Sequence, residues 1–194
     1  MDLIGPRVGR GVALGGVFAL ALAACGDDTP TQVTDPDFTG SFTATITGAA
    51  SATITGVAIF ASGTDPVTSE ASWVVYLATN PQNPGASTEA IYFTGPGSPS
   101  AQSYNIADLN EDPDVPAGGA GAFVIATPGT TPAFFLSDGG SLQITSLDAT
   151  RMDGTFNIDA TGLIIEPGGM AMQGTVNVQG SFEAEGGAFI LPPG

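Results

Sequence analysis

The chain has 194 residues, with 19 acidic and three basic side chains, no histidine and a single cysteine. A net charge of −16 leaves no basic patch to neutralise phosphate, which excludes nucleic-acid binding, and an acidic field also disfavours anionic lipid. Without histidine there is no Ser-His-acid triad and no zinc site of the usual type. Without lysine there is no Schiff base, and one cysteine makes no internal disulfide.

Residues 1–24 have the build of a secretory leader. Arg7 and Arg10 precede an uninterrupted small or apolar run, Gly11 to Leu22, and Ala23-Ala24 stand before Cys25. The run is shorter than the roughly 20 residues of a comfortable transmembrane helix. An ordinary signal peptide, or a buried hydrophobic segment, shares the run but leaves the lone cysteine as a free thiol.

Leu22-Ala23-Ala24-Cys25 resembles the lipobox of bacterial lipoproteins: a branched apolar residue, two small ones and the cysteine. The resemblance implies that the Cys25 sulfur carries diacylglycerol, that the leader is cut just before it, and that the new amino end is acylated. Two or more chains, at about 0.8 kcal/mol per buried methylene, suffice for stable anchoring. Gly26 stands where some retained inner-membrane lipoproteins have aspartate, so the expected location is the bacterial cell envelope, at the outer membrane. Membrane lipid, reached through acylated Cys25, is the expected partner.

Residues 25–37 continue as a lipid-anchored tether, acidic and short of large apolar side chains. A single β-domain is expected over 38–194. Its period is two from the outset: Phe42, Ala44 and Ile46 alternate with Thr43, Thr45 and Thr47. The segment 51–62 becomes apolar on both faces after Gly56, a site for a bulge. Residues 71–79 are apolar on both faces, Trp73, Val75 and Leu77 opposite Val74 and Tyr76, and read as a central strand.

Short extended runs follow at 90–95, 103–107, 122–127 and 133–137, separated by Pro- and Gly-rich connections that argue against long helices. A pattern of Gly, Ser or Thr, then apolar, polar and apolar residues occurs five times: at 40–44, 140–144, 154–158, 174–178 and 180–184. Each copy reads as the start of a strand in an antiparallel meander. A hairpin is expected around Asp148–Asp153, with Leu142, Ile144, Phe156, Ile158, Val176, Val178 and Phe182 facing inward.

The run GSLQITSL, then RMDGTFNI with Arg151, then GTVNVQGSF resembles a loosely defined group of uncharacterised β-rich bacterial lipoproteins, over about residues 38–185. That resemblance implies one β-domain on a lipid anchor and carries no activity. The expected fold is all-β, an antiparallel β-sandwich, with a partly closed lipocalin-like barrel as the alternative.

Candidate chemistry is sparse. Asp108, Asn110, Asp112 and Asp114 recur at alternate positions, as oxygen ligands do in a calcium loop. Pro113 takes the place of the turning glycine, however, and Gly119 that of the closing glutamate, so a solvated acidic loop is the main reading and no metal residue is assigned. Arg151 is expected to pair with Asp148 or Asp153. The functional expectation is a non-enzymatic binding or structural β-domain of an envelope lipoprotein, without cofactor or catalytic residues. An extracellular protein, a glycan or a small apolar ligand is open as its partner. The competing class is an envelope hydrolase of glycosidase type working through paired carboxylates.

Overall fold

Threonine alternates with apolar residues over Ser41–Gly48, and the backbone there is extended, with Phe42, Ala44 and Ile46 buried and the threonines exposed. β-Branched residues suit the pleat on a wet face, while their neighbours leave water. This strand, β1, opens a domain described here from a computed structural model over residues 39–64, 70–79, 89–127, 133–165 and 170–187. The leader, Cys25 and the tether lie outside the described residues.

The chain continues as β2 (Ala52–Thr64), β3 (Ala71–Ala78), β4 (Ala90–Pro96), β5 (Ser103–Asn105), β6 (Gly121–Ala126), β7 (Ala133–Leu147), β8 (Arg151–Ile165) and β9 (Ala171–Gly186). The fold is all-β. The nine strands form one sheet in the order β5-β7-β6-β4-β3-β2-β1-β9-β8, and pairing of β7 with β8 closes it into a ring. Neighbours run antiparallel, apart from a two-residue parallel contact where Ile59 and Phe60 of β2 meet Glu185 and Gly186 of β9. Closure leaves few unpaired backbone edges, as sandwich-like and barrel-like packing both require.

The interior is packed with side chains from opposite arcs of the ring. Phe93 of β4 meets Phe156 of β8 with ring centroids 5.2 Å apart, and Trp73 of β3 meets Tyr104 of β5 at 5.3 Å. Each such side chain contributes roughly 1.5–3 kcal/mol on leaving water. All seven residues expected to face inward between Leu142 and Phe182 are buried.

Two expectations are corrected. The run at 133–137 and the pattern copy at 140–144 belong to one strand, β7, broken by a bulge between Ser137 and Gly139. Gly140 has φ +125 there, and the extra residue shifts the inward set from Ala133, Phe135 and Ser137 to Leu142 and Ile144. At this bulge β7 exchanges its edge partner, β6 before it and β5 after it. The buried Ser137 hydroxyl bridges the junction, donating to the Ala107 carbonyl at 2.7 Å and accepting from Ala122 N–H at 3.3 Å.

The second correction concerns the recurrent glycine pattern. Only the first copy opens a strand; the others lie inside β7, β8 and β9. Their role is packing. Gly154 pairs across the ladder with Phe182, and Phe156 pairs with Gly180. Each phenylalanine ring lies over the other strand's glycine, so that an added Cβ at either glycine would come within 2.7 Å of the ring. The aromatic side chain covers backbone that a glycine leaves bare.

Candidate functional site

The turn joining β7 to β8 is built by one carboxylate. Asp148 Oδ1 accepts hydrogen bonds from Thr150 N–H at 2.7 Å, the Thr150 hydroxyl at 2.9 Å and Arg151 N–H at 2.9 Å. The bonds from Thr150 come first among the causes that hold the Asp148 carboxyl below its ordinary range. With Asp148 committed to backbone, the Arg151 side chain turns along the sheet surface. Its Nε donates to Asp153 Oδ1 at 2.9 Å and its Nη2 to Glu183 Oε2 at 2.6 Å.

Of the two acids expected beside Arg151, Asp153 is its ion-pair partner and Asp148 is a turn brace. Glu183 was absent from that expectation. It arrives by register, because Asp153 and Glu183 are directly opposite on β8 and β9. Shallow depressions flank Glu183. One of about 250 Å3 lies over Ser41, Thr43, Thr145, Asp153, Ser181 and Glu183. The other, about 210 Å3, lies over Thr39, Thr150, Arg151 and Glu185. Glu185 in turn accepts from Thr39 N–H at 2.8 Å and the Thr39 hydroxyl at 3.0 Å, and this bonding moves its carboxyl down. The cluster ties the start of β1 to the ends of β8 and β9. Its polar groups are spent on one another, and ion pairs this exposed contribute little to stability.

The acidic segment 108–114 forms turns of its own. Asp108 Oδ1 accepts from the backbone N–H groups of Asn110 and Glu111, both at 3.0 Å, and Asp112 Oδ1 accepts from Asp114 N–H at 3.0 Å. Asn110 Nδ2 leaves the segment to donate to Asp138 Oδ1 at 2.7 Å. The alternate oxygens therefore do not converge. Among the described residues, no three Asp, Glu, Cys or His side chains are grouped to hold a metal ion.

The outside of the ring has two contrasting halves. Across β1, β9, β8 and β7 the outward residues are polar and in register, Thr43–Ser181–Thr155–Gln143 and Thr45–Gln179–Asn157–Ser141. Asn177 Nδ2 stitches β9 to β8, donating to Asn157 Oδ1 and Asp159 Oδ1 at 2.8 Å each. Across β2, β3, β4, β6 and β7 the outward row is Ile59–Tyr76–Tyr92–Phe123–Leu136, every member half-buried. A parallel row, Val57–Ala78–Ala90–Ile125–Phe134, in which Ala78 and Ala90 are fully buried, runs on to Leu163 of β8. Tyr76 and Tyr92 stack at 4.6 Å, and burial, followed by the adjoining Tyr76, pushes the Tyr92 hydroxyl's pKa well up, so it stays neutral. Neither row contains a charged residue.

That division sets the surface apart from a membrane-spanning barrel, whose lipid-facing residues form an apolar band on every strand around a polar interior. Among the described residues no helix is long and apolar enough to cross a membrane. Comparison of the chain with protein-family models, with curated proteins and with solved structures gives no match.

Proposed function

We propose that this chain is a lipid-anchored protein of the bacterial cell envelope, placed at the outer membrane, whose β-domain is a non-enzymatic binding or structural module. The anchor rests on the Leu22-Ala23-Ala24-Cys25 segment. The observation that carries the non-enzymatic reading is the use made of the acids. Asp108, Asp112 and Asp148 brace turns, Glu185 holds Thr39, and Asp153 and Glu183 share Arg151. A glycosidase needs one carboxyl raised in pKa to act as general acid, whereas Asp148 and Glu185 move the other way.

Mass analysis of the mature amino terminus tests the anchor. The expected product begins at Cys25 and carries acyl chains, and Cys25→Ser abolishes both the modification and membrane retention. An unmodified terminus at another residue overturns the assignment. For the hydrolase class, turnover of a glycoside that disappears in both Asp153→Asn and Glu183→Gln would displace the binding reading.

A further inference from the structure

We propose that the apolar outer wall of β2, β3, β4, β6 and β7 lies against a lipid surface of low charge, holding the domain side-on to the bilayer without help from an acyl chain. This deepens the lipid-anchored reading and rests on it only for which membrane is touched.

The exposed large hydrophobic residues of the described chain are Phe134 (44 % exposed), Leu163 (59 %), Met172 (52 %) and Met170 (69 %). Phe134 and Leu163 are cross-strand partners on the outer face, and they continue the half-buried aromatic and aliphatic rows of the wall. Met172, opposite the core-packed Ile164, is on the other face of the sheet. Exposed apolar surface continuous with such rows is the kind that marks an interaction site.

Charge chooses the occupant. A second copy would bring two chains of net charge −16 together, whereas an uncharged lipid surface meets no such repulsion. The wall carries two stacked tyrosines and no charged residue in its rows, a composition suited to the headgroup boundary. Asp153, Asp159 and Glu183 lie on the polar arc, where side-on docking keeps them in water, while Asp138 stands on β7 at the edge of the wall beside Leu136, its carboxylate held by Asn110 and Thr161. With no lysine in the chain and one arginine in the described domain, nothing attracts anionic headgroups.

Tether length permits this orientation. Thirteen residues separate Cys25 from Thr39, the first described residue. At most about 3.3–3.6 Å per residue, they span on the order of 45 Å. The 15 residues of β8 extend about 50 Å, so the middle of the wall lies within reach of a bilayer holding Cys25.

The test uses residues 25–194 with Cys25→Ser, which has no acyl chain, floated with phosphatidylcholine vesicles. The expected result is a vesicle-bound fraction that falls about tenfold or more in the Phe134→Ser/Leu163→Ser variant, given the area these side chains would bury. Replacing part of the phosphatidylcholine with phosphatidylglycerol should weaken binding further. Circular dichroism and the melting temperature establish that the proteins are folded, and Ile125→Ser, beside Phe134 in the same row, provides a second variant. Protein that stays wholly unbound overturns the proposal, as does equal binding by the parent and both variants. A Cys25→Ser chain that is dimeric by light scattering, and made monomeric by Phe134→Ser/Leu163→Ser, assigns the wall to a second copy and likewise overturns it. An unacylated native terminus would refute the anchor and leave this assay's outcome unchanged.

Discussion

Adding one methyl group at Gly154 should destabilise the domain, and removing the Phe182 ring should abolish most of that penalty. Gly154 lies outside the set of positive-φ glycines, so its backbone does not require glycine. What requires it is space: a Cβ there would sit 2.7 Å from Phe182 Cζ and 2.7 Å from the Gln143 carbonyl oxygen. Carbon contacts are comfortable near 3.5–4.0 Å. Overpacking of this kind costs about 1–3 kcal/mol, offset in part by the roughly 0.5–1 kcal/mol that alanine gains over glycine in a strand. Gly154→Ala should therefore lose about 0.5–2 kcal/mol, or a few degrees in Tm for a domain of this size. Phe182→Ala alone should cost about 3–5 kcal/mol through the cavity it opens. In the double variant the methyl group meets an empty space in place of a ring, and only the carbonyl contact persists. Urea unfolding of the four proteins should give a coupling of about 1–2 kcal/mol in favour of the double variant. Additivity within about 0.5 kcal/mol would refute the view that Phe182 covers Gly154.

Two further outcomes follow from the acids. The folded Asp148 carboxyl is depressed, first by its hydrogen bonds from Thr150, so its contribution is present above the unfolded value of about 3.9 and is lost as pH falls through the folded value. Asp148→Asn should flatten the acid limb of stability as pH falls below that unfolded value, read from urea midpoints, and an unchanged slope would refute the brace. Calcium titration of the Cys25→Ser chain should match that of the same chain with Asp108, Asn110, Asp112 and Asp114 replaced by alanine, because Asp108 and Asp112 each turn an oxygen to their own turns and Asn110 turns to Asp138. A millimolar site present only in the first protein would refute that reading.

Period-two patterning made the inward faces of β1, β8 and β9 legible, because threonine, asparagine and aspartate mark the wet side unambiguously. Asp148 was legible as part of a hairpin turn because the chemistry is local. The continuity of β7 was not. Gly139-Gly140 reads as a break in sequence, yet two glycines at positive φ allow the strand to change face while keeping its ladder with β8. Glu183 lies 32 residues from Arg151 and has no local signal. A signal does exist at longer range: placing the glycine of each G-[ST]-F segment opposite the other's phenylalanine sets Gly154 against Phe182 and Asp153 against Glu183.

The apolar outer wall was hidden for a different reason. A strand apolar on both faces normally implies burial on both sides, so Val74 and Tyr76 read as core alongside Trp73, Val75 and Leu77. A closed ring has one interior, and the two sets separate. Trp73, Val75 and Leu77 are buried inside, while Val74 and Tyr76 are half-buried outside. The strands with this double pattern, β2, β3, β4 and β6, are contiguous in the sheet, although β5 interrupts them in sequence. Thr-rich β1 and the polar faces of β8 and β9 occupy the other arc. Strand order therefore gathers a composition scattered along the chain into one apolar and one polar surface. That segregation would be difficult to account for if the only demand on the outer residues were solubility in water.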